Sequence, residues 1–456
     1  MYNESIITSF WERNRTLIKG FLVGFLILIM LIPGVFISNL VNERKSRQQE
    51  VVKEVSSKWA NKQTITGPVL MIPYKEPGMD ANGKPVIYKK LAYFLPDVLN
   101  INSNMQPEKR HRSLFDVMLY RSGIDISGRF NPLPIGGLKI PAENMIWEEA
   151  SIATGINDVR GLENEVQVDW NGTKQNMEPG MIPNAVLTEG LSMPVKMDAQ
   201  TTASFSMHID LRGSEQLYFT PLGKTTEATI SATWKDPAFD GEYLPTETPN
   251  VNDKGFTAKW KILPVSHAYP QAWKDKGVTL TDAAFGVKLI QPVDGYAKTE
   301  RSVKYAILFI ALTFTIFFFL EILKKKHIHP LQYLLVGFAL IIFYTLLLSI
   351  SEYTGFNAAY LIATTATISL IGLYVRSIFK ETKTAIGFTC VLAALYGYIF
   401  ILIQLQDYAL LFGSIGLFVI IALMMYYSGK IDWYGTKHVN KPKEQDSDDN
   451  YVNIVQ

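Results

Sequence analysis

HPLQYLLVGFALIIFYTLLLSISEYTGF, His329 to Phe356, decides the fold class. From Pro330 to Ser351 it holds no Asp, Glu, Lys or Arg, and as a helix a run of that length crosses the roughly 30 Å of hydrocarbon in a bilayer. Working outward, uncharged runs also cover 20–42, 353–375, 384–406 and 408–429, and 305–323 is interrupted only by Glu321. Six such stretches predict a polytopic membrane protein with six transmembrane helices. The first has an apolar core too long for a secretory leader, and Phe36 to Asn42 lacks small residues spaced for cleavage, so it reads as an uncleaved anchor.

The remainder has the composition of a water-soluble chain. Over 456 residues, 48% are hydrophobic, the net charge is +2 and the mean hydropathy is +0.10. Together with the spans, these values exclude a purely cytosolic enzyme and a disordered chain.

Lys and Arg in short connections resist translocation and mark the cytoplasmic side. Arg13, Arg15 and Lys19 precede the first span; Lys324, Lys325 and Lys326 follow the second; Arg376, Lys380 and Lys383 follow the fourth; Lys430, Lys437, Lys441 and Lys443 follow the sixth. The connections 351–355 and 404–407 carry none. Both termini, 1–19 and 430–456, are therefore expected in the cytoplasm, and 43–304 in the periplasm. The tail, acidic and poor in apolar residues, is expected to be disordered.

The exported segment contains 31 Lys plus Arg and 31 Asp plus Glu, so no bulk field draws nucleic acid to it. The single cysteine, Cys390, lies in the fifth span, which leaves this domain without a disulfide. Glu43 to Lys62 reads as a helical stalk with Val51, Val55 and Trp59 on one face and with Glu50–Lys53 and Glu54–Lys58 as supporting pairs. Beyond Thr64 the hydrophobic period becomes two. Ala203, Phe205, Met207, Ile209 and Leu211 alternate with Ser204, Ser206, His208 and Asp210, and similar patterns run through 124–130, 166–170, 228–234 and 258–262. Asn171-Gly172 marks a hairpin turn, and the sequon it opens with Thr173 is secondary to that role. These signals predict a mostly β domain, a mostly antiparallel sandwich-like fold or paired sheets, and leave the strand order open.

Sites for chemistry are sparse. His111, His208 and His267 are too far apart for metal-ligand spacing, so a solvated histidine is the better reading of each. Leu222-Gly223-Lys224-Thr225 resembles the end of a phosphate loop, but Tyr218 stands where its first glycine is required. No catalytic residue, cofactor or metal is assigned. Ionisable and hydroxyl groups in or beside the membrane are the remaining candidates: Glu300 and Arg301 at the re-entry point, Glu352 at the end of the third span, and Thr364 and Thr365 in the fourth. Glu321 is expected to pair with Lys324 and Lys325 at i+3 and i+4, Glu352 to be hydrated, and Glu300 to pair with Arg44. Gly20 and Gly24 form one GxxxG step, a hint of homo-oligomerisation.

Several segments together resemble the CreD family of inner-membrane cell-envelope integrity proteins, which is controlled by a carbon-source-responsive two-component system. They are DGYAKTERSVKYAILFIALTF from Asp294, the stretch quoted first, TGPVLMIPY from Thr66, NDVRGL from Asn157, EPG from Glu178, WKDPAFDGEYLP from Trp234, GFTAKW from Gly255 and IDWY from Ile431. Where relatives carry Trp-Pro-His-Pro-Ser-Phe, this chain has Trp234, Lys235, Asp236, Pro237, Ala238 and Phe239, so no role of that His or Ser transfers. The resemblance implies a context of envelope maintenance with tolerance of colicins and beta-lactams, and brings no catalytic residue or cofactor. The expectation is a non-enzymatic protein whose partners are the bilayer and an envelope or cell-wall component. The alternative is a transporter or lipid-handling protein using Glu352, Thr364 and Thr365.

Overall fold

The computed structural model describes residues 15–180, 187, 189–266, 269–274, 278, 280, 283–289, 295–405 and 408–429. The tail and His267 lie outside them. The chain divides into two compact units, Met1–Lys45 with Val293–Gln456, and Ser46–Pro292.

Among the described residues of the first unit seven helices follow the chain: α1 (Arg15–Trp59, which continues into the second unit), α2 (Gly295–Lys304), α3 (Ala306–Leu323), α4 (Pro330–Thr354), α5 (Phe356–Phe379), α6 (Thr382–Gln404) and α7 (Ala409–Ser428). All except α2 are long and apolar enough to cross a membrane. Local chemistry sets their ends. At the start of α4, His329 Nδ1 accepts from Leu331 N while Gln332 Oε1 accepts from His329 N at 3.0 Å, with Pro330 at the first helical position. Gly355, at φ +78°, lets the chain turn from α4 into α5 within one residue. Val23, Leu26, Met30 and Val41 form the buried face of α1. Met30 can sit there because Gly337 on α4 has no side chain: a Cβ on it would lie 2.7 Å from Met30 Sδ.

Among the described residues the second unit is built on two mixed sheets, and the expected mostly antiparallel, sandwich-like β domain is present. One sheet has eight strands in the order Asn250–Asn252, Gly255–Ile262, Thr225–Ala232, Val98–Arg112, Phe115–Phe130, Ala203–Ser214, Gln167–Trp170, Thr173–Asn176. The other has nine, centred on Gln63–Met79, whose buried part, 63–74, includes the TGPVLMIPY stretch. Most pairs are antiparallel, but Thr225–Ala232 runs parallel to Val98–Arg112 (Ala228 opposite Ile101), and Gln216–Phe219 runs parallel to Gln63–Met79 (Thr64 opposite Tyr218). Alternation in single strands could not reveal these two pairs, because a half-buried strand reads the same whichever way its neighbour runs.

The apolar faces, including Phe130, Phe205, Phe219, Trp260 and Phe285, form one core. The predicted turn is there too, with Asn171 at φ +50° and Gly172 at +82° joining Gln167–Trp170 to Thr173–Asn176. Leu222 to Lys224 only lead into the strand Thr225–Ala232, and no helix follows.

Candidate functional site

Three of the five predicted residues meet at one end of the membrane unit. The amphipathic α2 supplies Tyr296, Lys298, Glu300, Arg301 and Lys304. Tyr296 Oη donates to Glu352 Oε1 at 2.9 Å, and Arg44 Nε lies 3.7 Å from the same oxygen. The Glu352 side chain is only 7% exposed, so it is not the hydrated carboxylate expected at a helix end: α2 and α1 close over it. Lys45 Nζ donates to Glu300 at 3.2 Å, and Lys304 reaches the other oxygen of Glu300 at 3.0 Å. The expected Glu300–Arg44 pair is thus replaced, because consecutive residues on α1 point about 100° apart: Arg44 faces Glu352 and its neighbour faces Glu300. Arg301 donates to the carbonyl of Ile403 at 3.3 Å, satisfying an open carbonyl of the last turn of α6. Lys298 binds Gln404 Oε1 at 2.7 Å, whose amide in turn binds Asn357.

Thr364 and Thr365 are not part of this cluster. Thr365 is exposed on α5 and its hydroxyl bonds back to Leu361 O at 2.8 Å, whereas Thr364 faces inward, deeper in the unit.

At the opposite end Glu321 is buried at 4% exposure. It pairs with Lys19, accepts from Tyr333 Oη at 2.9 Å and from Ile328 N at 3.1 Å, and so ties α1, α3 and α4 together. Its expected partners cannot reach it, because α3 ends at Leu323 and Lys325 turns to φ +49°, which ends the helical i+3 and i+4 spacing. Lys324 binds Glu381 at 2.5 Å instead. Gly20, from the GxxxG step, faces Phe318 of its own chain, whose ring would lie 3.9 Å from an added Cβ, along a groove of about 720 Å³.

In the β-unit, the NDVRGL stretch forms a knot under the last turn of α1. Asp158 accepts from Asn61 N (3.0 Å), Asn61 Nδ2 (2.9 Å) and both arms of Arg160 (2.8 and 2.7 Å), while Arg160 reaches Ser57 O at 3.0 Å. The Arg160 hydrogen bonds hold the Asp158 carboxyl down at about 2. Beside it, Arg110, Arg212 and Arg121 lie 4.3, 4.9 and 5.2 Å from the ring centre of Trp59. Of the predicted stalk pairs, Glu54–Lys58 forms at 2.7 Å, whereas Glu50 takes Arg47 instead of Lys53.

His208 stands on the open face of the eight-stranded sheet with Nδ1 2.7 Å from Asp125 and Nε2 3.2 Å from Asp210, and the hydrogen bond to Asp125 raises its pKa. In the edge strand Pro237–Gly241, Asp240 takes Lys288 and the Tyr218 hydroxyl (2.7 Å), which hold it at about 2. Among the described residues no group of three His, Cys, Asp or Glu could hold a metal ion.

Sequence reasoning missed Lys19, Tyr296, Tyr333 and the arginines over Trp59. Their partners are remote along the chain; for Lys19, Tyr296 and Tyr333 the only signal was an ionisable or phenolic group near a span, and for the arginines there was none.

The family model described as inner membrane protein CreD matches residues 15–434. The inner membrane protein CreD of Escherichia coli (strain K12) is 31% identical over 418 residues, covering 90% of this chain and 91% of that protein. A crystal structure from Legionella pneumophila, provisionally described as a nutrient binding protein, aligns at 8% identity with a TM-score of 0.28, over 56% of this chain and 79% of that one. A score this low carries neither fold nor function.

Proposed function

The chain belongs to the CreD family of inner membrane proteins, and from that premise we propose that it is a non-enzymatic, multi-pass protein whose β-unit faces the periplasm and binds or senses a component of the cell envelope. Its role is in envelope integrity and in tolerance of envelope stress such as beta-lactams and colicins. Both termini are in the cytoplasm, a reading supported by the Lys and Arg bias of the short connections.

One observation carries the reading. Glu300, Glu321 and Glu352 are each held by a cation, and the two with buried side chains also by a tyrosine. A carboxylate engaged in this way fixes helices. A transport pathway would instead present Glu352, Thr364 and Thr365 to a substrate, yet Glu352 is covered and Thr365 points away from the interior.

The test is photocrosslinking in intact cells, with a reactive residue at Asn102 on the open sheet face, at Glu242 beside the edge strand, and separately at Thr364. Adducts to a cell-wall or envelope protein component from the β-unit support the proposal. Adducts to lipid or a small molecule confined to Thr364 would replace it with transport. A hydrolytic or transfer activity abolished by one substitution that leaves the fold intact would refute the non-enzymatic reading.

A further inference from the structure

The half of the membrane unit that carries Glu352 holds buried hydroxyls that no protein group satisfies. Among the described residues Ser302 Oγ, Thr313 Oγ1, Tyr344 Oη and Tyr396 Oη have no hydrogen-bond partner, and none of the four residues is more than 1% exposed. Thr313, Tyr396 and Tyr344 come from three different helices, α3, α6 and α4.

They also share their surroundings. Phe309, one turn from Thr313, packs at 4.4 Å from Tyr396 and 6.3 Å from Tyr344, and Phe343 lies 4.9 Å from each of these tyrosines. Thr364 adds a buried hydroxyl one turn beyond Tyr360, whose own Oη donates to Tyr396 O at 2.8 Å. Toward the Glu321 end the character changes. Phe317 packs against Phe388 at 5.9 Å and Tyr333 at 5.0 Å, Phe314 reaches Tyr333 at 5.6 Å, and the Tyr333 hydroxyl is satisfied by Glu321.

Within a bilayer a polar group without a partner is disfavoured, and phenylalanine would make the same ring contacts without that penalty. Buried, unpartnered hydroxyls around the shared Phe309 and Phe343 rings call for a neutral partner that both donates and accepts. We propose that Thr313, Tyr344 and Tyr396 bind a small cluster of internal water molecules, and that Phe314, Phe317 and Phe388 keep the Glu321 end dry. The unit then has one hydrated half and one sealed half, and Glu352 and Glu321 are insulated from each other. This inference does not depend on what the β-unit binds.

Radiolytic hydroxyl labelling of the full-length protein in lipid nanodiscs marks side chains beside bound water, and a thermal scan of variants reads what the hydroxyls contribute. Tyr344 and Tyr396 should be modified about tenfold more than Phe314 and Phe317, the ratio that a difference of 1.4 kcal/mol in exposure to water would give. Tyr344→Phe and Tyr396→Phe should each lower Tm by about 2–4 °C. Thr313→Val makes the same measurement should a tyrosine variant fail to express. A Tm that stays level or rises in these variants overturns the proposal, since removing a hydroxyl with no partner is neutral or stabilising. Equal labelling of Phe317 overturns it as well, because water would then cross the seal.

Discussion

Arg44 on α1 and Glu352 at the end of α4 approach to 3.7 Å, with the Tyr296 hydroxyl closing on the same carboxylate oxygen. Their side chains are 44% and 7% exposed, so the acid is nearly out of solvent and the base is half in it. A contact of this kind is worth more than a surface pair and less than a fully buried one.

Arg44→Ala should therefore destabilise the membrane unit by about 1–2 kcal/mol, because Glu352 keeps its burial and loses a compensating cation. A double-mutant cycle between Arg44 and Glu352 should return a coupling above about 0.5 kcal/mol, and the cycle between Arg44 and Glu300 none. The reverse ranking would show that the register of α1 differs from the one described.

Removing Lys19 should be the more severe change. Lys19→Met leaves Glu321 buried with only Tyr333 and Ile328 N, and should cost about 3 kcal/mol. Tyr333→Phe removes one hydrogen bond to a charged group and should cost about 1.5–3 kcal/mol. Thermal unfolding in detergent reads both, and the double variant Lys19→Met with Glu321→Gln should recover part of the loss. Wild-type stability of Lys19→Met would rule out a buried ion pair.

Gly337 makes room for Met30 and Phe314, whose nearest atoms would stand 2.7 and 3.0 Å from an added Cβ. Gly337→Val should lower stability by about 1–3 kcal/mol through overpacking. Met30→Ala, itself a cavity-forming change, should rescue part of that loss. No rescue would mean that Met30 is not the obstructing side chain.

His208 faces Asp125 and Asp210 through both ring nitrogens, and the hydrogen bond to Asp125 is the largest cause of its raised pKa. A raised folded-state value stabilises the protein below the unfolded value near 6.5, and the effect is lost as pH rises through the folded value. His208→Gln should therefore destabilise the chain at pH 6 and change it little at pH 9. Loss of equal size at both pH values would show that charge on this ring is not the cause.

Asp158 carries the opposite sign. Arg160 holds its carboxyl near 2, below the ordinary 3.8, so its contribution is present above about pH 4 and disappears as pH falls toward 2. Between pH 5 and 2 the wild type should lose more stability than Asp158→Asn, measured by tryptophan fluorescence. Parallel loss in the two proteins would remove Asp158 from the acid response.

The sequence by itself determined the six membrane-length helices, five of the strands of the β-unit and the turn at Asn171-Gly172. These follow from periodicity and run length, which are properties of neighbouring residues. It also singled out Glu300, Arg301 and Glu352, since an ionisable group beside a span is costly wherever it sits. Only the tertiary structure decided their partners. Lys19 reaches Glu321 because α1 packs beside α3 and because α3 stops at Leu323, and Lys45 rather than Arg44 reaches Glu300 because of the rotation of α1 about its own axis. The two parallel strand pairs belong to the same class, since the direction of a neighbour is not written in a strand's alternation. Pairing depends on the relative placement of distant segments, and a linear pattern carries burial without carrying which residue shares it.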